Sequence, residues 1–156
     1  GTLASNGGSI QDAAGNDADL TLNGVDPTTG VLVDAIVPTV TSVAVPGNGT
    51  YVAGQTLEFT VNFSENVTVT GEPALDVTIG TTGRQATYTS VGSGTGSALK
   101  FRYTVQSGDL DTDGISVGTL ALAGGTIKDS VGNDATLTLS SVASTAAVLV
   151  DAVAPT

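Results

Sequence analysis

Asp109-Leu110-Asp111-Thr112-Asp113-Gly114 is the stretch of this chain whose residue types and spacing point most directly to chemistry. Carboxylates at alternate positions followed by glycine open a calcium-binding loop. The acidic side chains converge on one point, and glycine permits the sharp reversal after them. The backbone carbonyl of Ile115 is the next oxygen in line. Three carboxylates this close repel one another unless a cation lies between them. An EF-hand would place a bidentate glutamate at its twelfth position, where this chain has Leu120, so further ligands must come from elsewhere. The competing reading is a solvated acidic turn between two strands.

Composition narrows the choices. The chain has no His, Cys, Met or Trp. Without His or Cys, the usual acyl-transfer triads, thiol catalysis and common zinc sites cannot be assembled. Paired carboxylates can hydrolyse glycosides, but these acids sit in turn sequences with no aromatic cleft, and no enzyme is expected. The net charge is −11, and Arg84, Lys100, Arg102 and Lys128 are the only basic residues. Such a chain repels nucleic acid and anionic lipid, so neither nucleic-acid binding nor direct membrane insertion is expected. The acid excess suits Ca2+ instead.

The elements that must hold these acids read as strands. Leu57, Phe59, Val61 and Phe63 alternate with Glu58, Thr60 and Asn62, the period of a half-buried strand. Leu75–Ile79 and Leu99–Val105 alternate in the same way. Weaker strands are expected over Val40–Val45, Arg84–Ser90, Ile115–Leu122 and Ala147–Asp151. Between them lie turn-forming clusters such as PGNGT, GTTG and GSGTGS. Short, near-regular strands of this kind predict an all-β fold, an Ig-like Greek-key β-sandwich. Arg102 is expected on the exposed face, and Tyr51, Tyr88 and Tyr103 in the core or at its rim.

The opening Gly1–Thr39 returns as Gly118–Thr156, a tandem repeat of period 117, with 24 identities over 39 ungapped positions. A fixed offset of this kind marks a repeat array. Residues 1–37 are therefore expected to be the C-terminal part of a preceding repeat, and 38–156 one complete repeat with its exit linker. The paired segments Asp12-x-x-Gly15-Asn16-Asp17 and Asp129-x-x-Gly132-Asn133-Asp134 read as turn formers, because Asp and Asn bond their own backbone and Gly accepts positive φ. VDAIVPT and VDAVAPT end a strand and then place a proline, giving short, stiff linkers.

Strand parity suggests where the remaining ligands lie. With strands running alternately down and up, Ser64-Glu65-Asn66 forms a turn at the top of the sandwich. The Asp109–Asp113 loop then falls at the bottom, beside the exit linker and Asp151. Where the bottom of one repeat meets the top of the next, a calcium ion is expected between the acidic loop and linker aspartate of one and Glu65 of the other. At the leading junction of this chain, the residues would be Asp34 and Glu65. The competing reading for Asp34 and Asp151 is a strand-end residue capping the turn that follows.

The run VDAIVPTVTSVAVPGNGTYVAGQTLEFTVNFSENVTV, the segment YTVQSGDLDTDGISVGTLAL and the segment DSVGNDATLTL resemble the Ig-like repeats of very large bacterial surface adhesins. The resemblance covers nearly the whole chain. It implies an extracellular, cell-surface extender module that binds calcium at or near domain junctions and has adjacent repeats of the same protein as its partners. The alternative is a subunit of an extracellular filament, in which strands are exchanged with neighbouring chains.

Overall fold

The computed structural model describes residues 1–89 and 95–155. Ser90, where one expected strand ends, part of the GSGTGS turn, and Thr156 lie outside the described residues. The chain forms two compact units, Gly1–Asp34 and Ala35–Thr156. The division falls just ahead of the boundary expected from the repeat, because Ile36, Pro38 and Thr39 are hydrogen-bonded into the second unit. Asn133 Nδ2 donates to the Ile36 carbonyl at 3.2 Å, and Thr136 N–H donates to the Pro38 carbonyl at 2.8 Å.

The second unit is all-β, with no helix among the described residues. Its strands are β1 (Val40–Ala44), β2 (Gly49–Tyr51), β3 (Thr56–Thr70), β4 (Ala74–Ile79), β5 (Thr82–Tyr88), β6 (Thr95–Thr104), β7 (Leu110–Asp111), β8 (Ser116–Ala121), β9 (Thr126–Lys128) and β10 (Val148–Asp151). A curled antiparallel sheet runs in the order β1-β3-β6-β5-β4-β8, with β9 also on β3. A smaller sheet runs β2-β10-β7. In the smaller sheet β2 and β10 are parallel.

The alternation read from the sequence sorts the side chains. Leu57, Phe59 and Val61 of β3, Leu75 and Val77 of β4, and Phe101 of β6 are buried with Val148 and Val150 of β10. Full burial of a side chain such as Phe59 or Phe101 contributes about 1.5–3 kcal/mol. On the other face of β3, Glu58 bridges two bases of β6, with Lys100 Nζ at 2.6 Å and Arg102 Nη2 at 2.7 Å. Arg102 is exposed as expected, and Tyr103 is buried. Tyr88 packs against Phe101 with ring centroids 5.8 Å apart.

One expected turn is absent. Ser64-Glu65-Asn66 lies inside β3, whose register with β6 shifts between Asn62 and Val67. Ser64 is held there by Thr39: its N–H donates to the Thr39 carbonyl at 2.8 Å, and its Oγ accepts from Thr39 N–H at 3.1 Å. Beyond the irregularity β3 changes partner and pairs Val69 with Ile127 of β9. A strand that bends in this way can serve two faces of a core.

The first unit contains only isolated bridges, Thr2 with Thr21 and Gln11 with Asp17, and none of its side chains is buried. Its turns nevertheless use bonds that recur in the second unit at equal spacing. Gly8 N–H donates to the Ser5 carbonyl and Gly125 N–H to that of Leu122, both at 2.8 Å. Ala18 donates to Ile10 at 2.8 Å, and Ala135 to Ile127 at 2.9 Å. Left-handed residues coincide as well: Asn6 and Ala123 both have φ 47°, and Gly7 and Gly124 both have φ 84°.

Candidate functional site

The acidic loop is set by the smaller sheet. β7 pairs with β10, placing Asp111 opposite Val150 and Leu110 opposite Asp151. Ala152 N–H donates to the Asp109 carbonyl at 2.9 Å, and Gly108 N–H donates to that of Ala152 at the same distance. The structure thus brings Asp109, Asp111 and the exit aspartate Asp151 into one seam. Asp151 Oδ1 accepts from Val153 N–H at 3.3 Å, the capping contact of a strand end.

Within the loop, the carboxylates face protein donors. Asp109 is only 3% exposed. Its Oδ1 accepts from Arg84 Nε at 3.0 Å and Nη2 at 2.5 Å, and its Oδ2 from the Tyr103 hydroxyl at 2.6 Å and Gln106 N–H at 2.8 Å. Burial pushes this carboxyl up, but Tyr103, Gln106 N–H and the Arg84 guanidinium outweigh it and hold it below the ordinary carboxylate range. Asp111 Oδ2 accepts from Gly80 N–H at 2.6 Å, and its Oδ1 accepts from Gly114 N–H at 2.7 Å and Asp113 N–H at 3.3 Å. The Ile115 carbonyl accepts from the Thr145 hydroxyl. Asp113 is exposed. A cation entering here would have to displace these donors from Asp109, Asp111 and Ile115.

Gly114 is required for the reversal. Its φ is +108°, and an added Cβ would stand 2.6 Å from Ala146 Cα and 2.6 Å from the Thr145 carbonyl oxygen.

The clasp around Asp109 also acts on Tyr103. Burial first, then the hydrogen bond to Asp109, pushes the phenol up to about 12. The neutral phenol is therefore favoured in the fold. Its contribution to stability is complete below the unfolded value of about 10 and is lost as pH rises from there toward about 12. In an alkaline absorbance titration, one of the three tyrosines should ionise later than the others, and in Tyr103→Phe the late step should vanish. A late step that survives the substitution would show that Tyr103 is not its source.

Glu65 lies far from this loop along β3. β6 ends at Thr104 opposite Thr56, so the loop follows the start of β3 and Glu65 sits well beyond it. Its neighbour is Asp129, with carboxylate oxygens of the two within 4.8 Å of each other. Asp129 forms the turn expected of it. Its Oδ1 accepts the N–H groups of Val131, Gly132 and Asn133 at 2.9, 2.7 and 2.8 Å, and its Oδ2 accepts from Asn133 Nδ2 at 2.7 Å. Burial raises this carboxyl, while the bonds from Asn133 and its neighbours leave it below the ordinary range. Asp12 builds the same turn in the first unit, accepting from Ala14 and Asn16 N–H at 2.8 and 2.9 Å. Asp34 is the last residue of the first unit and is exposed.

No family model, curated protein or solved structure matches the chain.

Three residues that shape these sites were not singled out from the sequence. Arg84 and Tyr103 reach Asp109 only through the pairing of β5 and β6. Asp129 carried a turn signal but nothing that set it beside Glu65. All four basic side chains are engaged in ion pairs: Arg84 with Asp109, Lys100 and Arg102 with Glu58, and Lys128 with Asp134.

Proposed function

We propose that this chain belongs to the extender region of a bacterial cell-surface adhesin. In this reading, Ig-like Greek-key β-sandwich repeats of period 117 are joined end to end and stiffened by calcium at the joints. The observation that carries the proposal is the docking of the incoming segment. From Ile36 to Thr39 the chain is bonded to Asn133, Thr136 and Ser64, so the expected linker leaves almost no free chain ahead of the repeat. A stiff joint is what an extender needs, since a flexible one would absorb reach as bending. The recurrence of turn bonds and left-handed residues at the repeat spacing supports two copies of one design.

The strand order suits a load-bearing role. The chain comes in through β1 and β2 and leaves by β10, and β2 and β10 are parallel neighbours. Pulling the ends apart would shear that pair along its length, loading its hydrogen bonds together.

Calcium is assigned to the leading end of the repeat. Oxygens of Glu65 and Asp129 within 4.8 Å of each other can both reach one ion at about 2.4 Å. Asp34 stands two residues before Ile36, whose carbonyl is held by Asn133, so its backbone is at most about 7 Å from that anchor. Asp34 would complete the set, and Asp151, its equivalent one repeat later, would do the same at the next joint. The Asp109–Asp113 loop would then serve as the braced turn at the far end. The ion would also neutralise acids that the four paired bases leave uncompensated.

The test is a thermal melt of the chain in EDTA and in millimolar calcium, with magnesium as control. Calcium at a hundred times its Kd should add about 2.7 kcal/mol and raise the midpoint by several degrees. Glu65→Ala should abolish the rise, whereas Asp113→Ala should not. A midpoint indifferent to calcium would sink the metal-stiffened joint.

A further inference from the structure

The two units share turn conformations but not burial. In the second unit Leu120, Ile127, Val148 and Val150 are 5, 2, 0 and 0% exposed, while their counterparts Leu3, Ile10, Val31 and Val33 are 54, 56, 70 and 88% exposed. What covers the buried set is clear from the pairing. Leu120 of β8 lies opposite Leu75 of β4, and Ile127 of β9 opposite Val69 of β3. Val148 and Val150 of β10 lie opposite Gly49 and Tyr51 of β2, and Val150 also faces Asp111 of β7. Every one of these partners belongs to the β1–β7 part of the repeat.

We infer that Leu3, Ile10, Val31 and Val33 form a docking face whose occupant is the β1–β7 portion of another repeat of this kind. A stretch matching Ala35–Val117 supplies it, placed ahead of Gly1 in tandem order. Val31–Asp34 enters as a strand between the counterparts of Gly49–Tyr51 and Leu110–Asp111, as β10 does in the second unit. Several exposed apolar residues this close together mark an interaction surface, and the unpaired segment has the hydrogen-bonding edge of a strand awaiting a neighbour. The first unit is pre-organised for this partner, because its turns already carry the bonds and left-handed residues of the completed copy. A second intact copy of this chain does not fit. Its own Val148 and Val150 fill the place that Val31 and Val33 would take, so docking in trans would have to expel an equivalent segment.

The inference depends on the repeat and not on calcium or surface attachment, so its test is run in EDTA. A chain extended by a copy of its own residues 35–117, fused directly before Gly1, is compared with the original by hydrogen exchange. Amides of Val31–Asp34 should exchange rapidly in the original and slow by on the order of a thousandfold or more in the extended chain. Val33→Asp should erase that protection in the extended chain while leaving the melt of Ala35–Thr156 unchanged in both. Rapid exchange at Val31–Asp34 in the extended chain would overturn the inference. So would protection in the original chain that grows with concentration alongside a dimer in sedimentation, which would make a second copy the occupant.

Discussion

Asp109→Ala is expected to lower the stability of the second unit by about 3 kcal/mol and its melting midpoint by about 10 °C. The substitution removes an acceptor that serves Arg84, Tyr103 and Gln106 N–H together. Tyr103 is buried and its hydroxyl would be left without this partner, while the Arg84 side chain is 32% exposed and regains water. That partial exposure screens the ion pair and places the cost at the low end of the range for breaking a buried one. Urea unfolding of the purified variant measures it directly. A variant as stable as the parent would show that the clasp contributes nothing.

The same residue gives a pH signature. The Asp109 carboxyl titrates below its ordinary value in the fold, so its contribution is complete above the unfolded value of about 4. It is lost as pH falls through the lower folded value. The gap in stability between the parent and Asp109→Asn should therefore be constant near neutrality and shrink below about pH 4. Asp76, held down by Thr119 and Gln85, and Glu58, held down by Lys100 and Arg102, weaken both proteins alike in acid. A gap that persists unchanged to pH 2 would mean that the charge of Asp109 is irrelevant.

Gly125→Ala should be at least as damaging, and its repeat counterpart Gly8→Ala nearly silent. A Cβ on Gly125 would sit inside the van der Waals shell of the Thr70 carbonyl oxygen and 3.1 Å from that of Leu122. Both obstacles are backbone, so β9 would have to move off β3, at a cost of about 3 kcal/mol or more. At Gly8 the same atom meets only the Ser5 carbonyl at 3.3 Å, and a change within about 0.5 kcal/mol is expected. Denaturant melts give the two costs, and hydrogen exchange at Val69 and Ile127 shows whether their pairing opens. Equal, small effects at both glycines would contradict the close approach of β9 to β3. In the chain extended by residues 35–117, Gly8→Ala should become damaging too.

Much of this architecture is local and was therefore legible in the residues. Leu57, Phe59, Val61 and Phe63 alternate because successive side chains of a strand point to opposite faces, and they are buried accordingly. The turns at Asp12 and Asp129 were legible for a similar reason, since a short acidic side chain can bond the N–H groups that follow it wherever glycine or asparagine permits the bend. The repeat itself is a property of the sequence alone. What needed the folded chain was contact between residues far apart. β2, β7 and β9 are too short to show alternation and exist because longer strands pair with them. Ser64–Asn66, polar enough to read as a turn, remains strand because Thr39 holds Ser64 there. Asp109 carries the same chemistry as Asp113, one strongly braced and the other exposed. Only the register of β5 with β6, which carries Arg84 and Tyr103 to the loop, tells those two carboxylates apart.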